Sequence, residues 1–514
     1  MAIRVVLERV GVTVVTAPFF VECFMRTIFC TVTTAPELSF AARFVELAEE
    51  GKDRPALTMA DHTMSFADLD GRATDLAHHF LSLDVGVGDF VTVAEPNSFA
   101  FVVACMACWK IGATPQPVSS RLPRRELEAI VDLADSKVVV GMDVAGRQSL
   151  PLGFVAPPVG DGPALPDVVS AAWKAPTSGG STGRPKLIVS GDPSTYGADS
   201  RGRAAMIGAT GDNVVVIPGP LYHNGPFIWM FASLLAGSHV VLLPRFDAET
   251  TLAAIADHGA EGVYLVPTMM QRIWKLPEAD RLSYDMSSLK VAFHLGEPCA
   301  KWLKQAWIDW IGPEKVWELY AGTEGQGLTV LNGVEWLEHP GSVGKPVGSE
   351  MKICDEDGVE VPTGEVGDVW MRLLGRETAP YMYVGAETVS VDGWETLGDI
   401  GWMDDAGYLF LADRRKDMIL VGGANVYPAE VEAALNEHEG ISSAAVVGLP
   451  DDEMGNRIHA IIEADADIDL GELAVFLGER LVRYKIPRTF ETVAEPLRDD
   501  AGKIRRSALR AERL

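Results

Sequence analysis

Apolar and polar positions alternate along the chain in two periods. Residues 40–50 place apolar side chains at helical spacing and predict an amphipathic helix. Ser65 offers an N-cap to a second helix, with Leu69, Ala73, Leu76 and Phe80 on one face. Residues 86–93 read as a turn and a strand, and 104–111 as a helix. The run Gly112-Ala-Thr-Pro-Gln-Pro-Val leads to another strand, 124–134 to a helix and 137–140 to a strand. After a glycine-rich stretch near residue 180 the pattern resumes. Strands are expected at 214–217, 240–243, 262–266, 291–295 and 316–319, with helices at 227–235 and 251–258. Strands alternating with helices at this spacing predict an α/β fold with a largely parallel sheet.

Past residue 334 the texture changes. Short segments are separated by Gly344, Gly348, Gly358, Gly364 and Gly367, which predicts small β units forming a barrel-like part. The charged run Asp413-Arg-Arg-Lys-Asp417 is followed by fresh apolar segments and marks a boundary. Beyond it, helices at 428–435 and 470–482 and strands at 444–448 and 460–463 predict a small α+β domain. The division expected is residues 1–34, 35–415 and 416–514. Residues 1–34 are apolar but broken by Glu8, Arg9, Glu22 and Arg26, so no bilayer-spanning run and no signal peptide is expected there. They read as an extension packed on the body, or as the product of an early start with Met25 as the next candidate.

Composition narrows the partners. A formal net charge of −28 and a pI near 4.7 disfavour nucleic acid and anionic membrane, so an anionic ligand must be met by local positive charge. The six cysteines are spread out and fit a reducing cytoplasm. Cys105 and Cys108 form a CxxC, but they lie inside the apolar run 101–109 and read as core rather than as a redox or metal pair. Nothing in the sequence sets an oligomeric state.

The candidate chemistry centres on Ser178-Gly179-Gly180-Ser181-Thr182-Gly183-Arg184-Pro185-Lys186. Glycines turn backbone N–H groups inward at little steric cost, and with hydroxyls and an ammonium they cradle phosphate oxygens. This is not the Gly-Lys-Ser/Thr loop that runs into a helix. Pro185 disfavours helix before Lys186, and Leu187-Ile188-Val189 reads as a strand. The loop therefore joins extended segments; a plain surface loop is the simpler alternative. At Tyr320-Ala-Gly-Thr-Glu324, Tyr320 offers a flat face for a purine, Thr323 a hydroxyl and Glu324 a hard oxygen for Mg²⁺. Asp399, between glycines in Gly398-Asp-Ile-Gly401, can take both hydroxyls of a ribose.

The first two of these motifs, in this order, resemble the signatures of the adenylate-forming enzymes (acyl-CoA synthetases, adenylation domains and luciferases), and the aspartate turn resembles that family's third. Gly179 stands where a serine is commoner, Leu397 where a threonine precedes the aspartate, and Leu295 where a glycine precedes Gly296. The resemblance extends from about residue 36 to the C-terminus. It implies an AMP-binding adenylation domain over 35–415 and a mobile C-terminal domain over 416–514. It also implies that Ser178 to Gly183, Lys186, Gly296, Glu297, Pro298, Tyr320, Thr323, Asp399 and Arg414 hold ATP. Glu324 would hold Mg²⁺ and His223 would stand beside the acyl site. Lys416 would be the hinge, Gly422 and Gly423 would line a tunnel for CoA, and Lys503 would be the catalytic lysine.

The activity implied is ATP-dependent activation of a carboxylic acid to an acyl-adenylate, then transfer to CoA. Transfer to an amine, giving an amide, is the alternative acceptor, and a nucleotide-binding protein without catalysis is the alternative class. Gly296, Gly322, Gly325 and Gly327 lead us to expect a roomy pocket, and the 178–183 loop with the tail around Lys503 resembles bile-acid and aromatic-acid CoA ligases. Between Arg480 and Arg510 nine basic residues face four acidic ones, which would serve CoA phosphates, interdomain closure or a solvated face.

Overall fold

The computed structural model describes residues 37–514 except 161, 180–184, 377–378, 389, 452, 465–467 and 500–501. The extension at 1–34 and the loop residues Gly180, Ser181, Thr182 and Gly183 lie outside the described residues.

The helix Phe40–Glu50 buries Phe40, Phe44 and Leu47, the stripe its spacing predicts. The helix Phe66–Ser82 starts at a capping box: the Ser65 side chain accepts from the Asp68 N–H while Asp68 accepts from the Ser65 N–H. The helix Phe99–Lys110 begins earlier than its apolar run suggests, because Ser98 caps it. It is buried on every side, which explains the absence of a polar face, and it holds Cys105 and Cys108 as free buried thiols. Burial pushes both thiols above their ordinary pKa.

Two parallel-rich sheets flank this core. The smaller runs in the order Thr114–Pro117, Phe90–Val93, Val138–Val140, Gln148–Leu150, all parallel. The proline-rich run expected to lead into a strand is itself the strand, tolerated because it is an edge. The larger sheet has nine strands. Its parallel centre is Val316–Ala321, Val291–Leu295, Gly262–Leu265, Val214–Ile217, His239–Leu242 and Pro55–Met59, closed by antiparallel strands at both ends. Trp109, from the buried helix, packs edge-on against Phe40, Phe227 and Phe231, and its indole N–H donates to the Trp173 carbonyl at 2.8 Å. The large sheet and the helices thus share one hydrophobic core.

The barrel-like part is a five-stranded antiparallel sheet built from Ser349–Cys354, Gly367–Leu373, Ser390–Val391, Trp394–Met403 and Leu409–Arg414. After residue 418 a separate core forms among Val426, Val431, Leu435, Ile441, Ile458, Leu473 and Leu477. It joins the helix Pro428–Asn436 to the hairpin Ser443–Asp451 and Gly455–Glu463, with Thr489–Val493 paired in parallel alongside. The helix expected at 470–482 runs only from Leu470 to Gly478; a short 3-10 turn at Arg483–Lys485 follows just past the expected span, and the last helix is Arg506–Ala511. No helix among the described residues is long and apolar enough to cross a membrane.

Candidate active site

Parallel α/β sheets place ligand sites beyond the carboxyl ends of their strands, and the sequence candidates gather there. Near the end of strand Val316–Ala321 stands Tyr320, whose hydroxyl donates to Asp399 Oδ2 at 2.6 Å. Asp399 faces Arg414 directly across neighbouring strands, and Arg414 Nε donates to Asp399 Oδ1 at 3.2 Å. Asp399 is buried, yet an ionised carboxylate has about four acceptor sites, so capacity remains for a diol. Burial, then the Asp399 charge, raises the Tyr320 phenol well above its ordinary range. The phenol stays protonated and donates. Tyr320 and Asp399 are close enough for one nucleoside to reach both.

Strand Pro185–Ser190 pairs on one side with Thr177–Gly179, which carries Ser178 and Gly179, and on the other with Tyr381–Val384. The extended segments expected on both sides of the glycine loop are therefore a hairpin. Lys186 lies 3.8 Å above the Tyr383 ring and 3.5 Å from Glu324 Oε1, which also accepts from the Tyr383 hydroxyl at 2.7 Å. Thr323 is half-buried beside it. Glu324 is a single buried carboxylate, and no group of three or more metal-binding side chains occurs among the described residues. That donor set suits Mg²⁺, which takes one or two carboxylates and fills its shell with phosphate oxygens and water.

The C-terminal unit, or cap, closes the cleft with a tight turn. Asp499 N donates to the Lys503 carbonyl at 3.0 Å, Lys503 N donates to Asp499 Oδ1 at 2.9 Å, and Arg498 bridges to Ile504. Lys503 keeps a good part of its surface open to the cleft, while the packing around its amine lowers its pKa; Asp499, Glu297 and Glu324 act in the opposite sense and favour the charged form. His223, immediately before the helix Asn224–Ala236, places Nε2 4.0 Å from Asp499 Oδ2. Burial, then the nearby Lys503, lowers its pKa to about 3, so the ring is neutral.

Gly296, Glu297 and Pro298 follow strand Val291–Leu295, with Gly296 at φ +88°. Glu297 does more than line a turn. Its Oε2 accepts from Thr268 N and Oγ1 at 3.2 and 2.7 Å, and its Oε1 accepts from Arg498 of the cap at 3.3 Å. Burial raises the Glu297 pKa against the pull of Arg498.

Lys416 is exposed in the turn between the body and the cap. On one side of it Arg415 is tied to Asp368 and Glu356 of the body at 2.8 and 3.0 Å; on the other Asp417 meets Arg506 of the cap at 3.4 Å. Gly422 and Gly423 make the two-residue turn of the hairpin Ile419–Val421 and Ala424–Val426, with φ +56° and +86°. Positive φ at both central residues is what such a hairpin turn requires, so the backbone alone accounts for both glycines. Gly422 packs on Met454, whose methyl would lie 2.3 Å from an added Cβ.

The expected run of pocket glycines is corrected in part. A Cβ on Gly322 would meet Leu397 at 2.8 Å and one on Gly327 would meet Met371 at 3.0 Å, so those two glycines admit neighbouring side chains rather than open space. Sequence reasoning missed Tyr383, Thr268, Arg498 and Asp499. The last two lie in the basic tail already singled out, whereas Tyr383 and Thr268 carry no local signal.

Residues 44–163 and 175–378 match the AMP-binding enzyme family, and residues 430–503 match the AMP-binding enzyme C-terminal domain. The chain is 30% identical over 529 residues to 3-[(3aS,4S,7aS)-7a-methyl-1,5-dioxo-octahydro-1H-inden-4-yl]propanoyl:CoA ligase of Rhodococcus jostii (strain RHA1), covering 94% of this chain and 99% of that one. It is 30% identical over 483 residues to 2-succinylbenzoate–CoA ligase of Bacillus licheniformis, covering 90% and 98%. Among solved structures, o-succinylbenzoate CoA synthetase of Bacillus subtilis, in complex with its acyl-adenylate intermediate, aligns with a TM-score of 0.78 at 25% identity over 92% of this chain and 98% of that one. Amide bond synthetase McbA of Marinactinospora thermotolerans, at 24% identity and a TM-score of 0.73 over 92% and 99%, shares the fold. With the family matched over more than half its length, the chain belongs to the AMP-binding enzymes, on the acyl-CoA synthetase branch of the adenylate-forming superfamily.

Proposed function

We propose that the chain is an ATP-dependent carboxylic acid ligase that forms an acyl-adenylate and then an acyl-CoA thioester, with residues 35–415 as the adenylation body and 416–514 as a mobile cap. The observation that carries this reading is the meeting of Tyr320, Asp399 and Glu324 from the body with Arg414 at the boundary and Lys503 from the cap in one cleft.

In the first half-reaction a carboxylate oxygen attacks the α-phosphorus of ATP. The bond to the bridging oxygen breaks and pyrophosphate leaves. Tyr320 and the Gly296-Glu297-Pro298 turn flank the adenine, and Asp399 and Arg414 hold the ribose. Lys186, Thr323 and the loop residues Ser178, Gly179, Gly180, Ser181, Thr182 and Gly183 hold the phosphates. Glu324 would hold Mg²⁺, which would offset phosphate charge. Lys503 supplies positive charge where negative charge develops, the arrangement with the largest leverage on such a step. His223, kept neutral by burial, hydrogen-bonds at the acyl carboxylate rather than opposing Lys503 with a second positive charge. In the second half-reaction the CoA sulfur attacks the acyl carbon and AMP leaves. Lys416 lies between two ion-paired anchors, which suits it as the pivot for the turn that brings the Gly422–Gly423 hairpin to the cleft.

A bulky cyclic or aromatic acid is the favoured substrate. Two relatives are named for a fused-ring propanoyl group and for 2-succinylbenzoate. The four described cysteines are free, which fits a reducing cytoplasm. Acid-dependent ATP–pyrophosphate exchange across a panel of acids, followed by product mass with CoA or an amine as acceptor, tests the reading. Exchange with ring-bearing acids and a thioester product supports it. An amide product moves the acceptor to an amine, straight-chain preference overturns the acid class, and absence of exchange leaves a nucleotide-binding protein.

A further inference from the structure

The helix Pro267–Trp274 and the residue after it present Thr268, Gln271 and Lys275 three and four positions apart, hence on one face. All three bear on the cap. Thr268 holds Glu297, and Glu297 accepts from Arg498. Gln271 Nε2 reaches the Asn436 and Ser442 carbonyls at 3.5 and 3.4 Å. Lys275 Nζ donates to the His438 carbonyl at 3.3 Å and to the Ile441 carbonyl. These four carbonyls end the cap helix Pro428–Asn436 and the turn after it. A helix C-terminus leaves acceptors without intrahelical donors and carries partial negative charge. Here Gln271 of the body donates to the last helical carbonyl, that of Asn436, and Lys275 places a cation on the turn just beyond that negative end. Burial lowers the Lys275 amine to about 8.

We infer that this face of the 267–274 helix is the seat that holds the cap in its adenylate-forming position, with Gln271 and Lys275 as positioning residues that never touch substrate. The kinetic consequence rests on the two-step reaction proposed above; the structural consequence does not. When the cap turns about Lys416, the four carbonyls pass from Gln271 and Lys275 to water. Exchanging protein for water hydrogen bonds changes free energy only modestly. The seat therefore biases the cap without locking it, as a site serving two half-reactions requires.

The test uses the full chain and Lys275→Met. In amide hydrogen exchange, residues 436–442 become exposed several-fold faster while the cap strands at 443–463 keep their protection. In kinetics, acid-dependent pyrophosphate exchange falls roughly tenfold, the scale of one charge-assisted hydrogen bond. Thioester formation from supplied acyl-adenylate and CoA holds its rate, and Lys275→Arg restores most of the first step. Unchanged exchange at 436–442 overturns the seat, as does faster exchange throughout the cap or equal slowing of both half-reactions. A wild-type chain without pyrophosphate exchange overturns the proposed function instead, and the amide comparison still decides the seat.

Discussion

Gly502 stands at φ +80° against the body, and a Cβ built there would lie 2.0 Å from Glu297 Oε1. Only a glycine lets the Lys503 turn approach so closely. Gly502→Ala should slow adenylation by about one to two orders of magnitude by holding the cap back, since small misplacement of a catalytic group has effects of that size. The left-handed conformation adds a stability loss of only ~1 kcal/mol. Pyrophosphate-release kinetics alongside thermal melting checks this, and wild-type kinetics would count against the closed geometry. Tyr320→Phe removes one donor from buried Asp399, a loss of about 1 kcal/mol. KM for ATP should rise roughly fivefold with little change in kcat. At this scale the sequence is legible where chemistry demands an unusual residue pattern, as at Tyr320, Glu324 and Asp399. Tyr383 and Thr268 were unreadable because an ordinary tyrosine in a strand and an ordinary threonine in a helix acquire their partners only through tertiary packing.

Local signals decided the elements where caps and periodicity agree. Ser65 with Asp68 is such a case, and the helix Phe66–Ser82 starts where the capping box says. Ser65→Ala should lower stability by about 1 kcal/mol, read by chemical denaturation, and no loss would mean that packing alone sets that start. Boundaries failed where burial overrides pattern. The helix Phe99–Lys110 has no polar face to mark its first turn, and Thr114–Pro117 is a strand despite two prolines because its other edge is unpaired. Gly422 and Gly423 were read from resemblance as a tunnel, and the structure gives them a prior reason in the turn they close.

Over the whole molecule, the α/β alternation, the β-rich segment and a separate core after residue 418 were all visible as changes of texture along the chain. The nine-stranded order and the cap seat were not, because they depend on contacts between distant segments. Buried histidines add a global property. Burial lowers His223 to about 3 and His239 to about 4, and puts His294 well below 6.5. The unfolded chain takes up these protons near pH ~6.5 while the folded chain does not, so stability falls as pH drops below about 6.5. His294→Phe removes one such proton uptake. Denaturation midpoints measured between about pH 4.5 and 6.5 should then slope less steeply than in the wild type.

The central claim is that the acyl-adenylate forms where body and cap meet, with Lys503 supplying charge there. Acid-dependent ATP–pyrophosphate exchange by Lys503→Ala tests it most directly. The rate should fall on the order of a hundredfold or more, while supplied acyl-adenylate is still converted with CoA at close to the wild-type rate. Exchange at the wild-type rate would contradict the account.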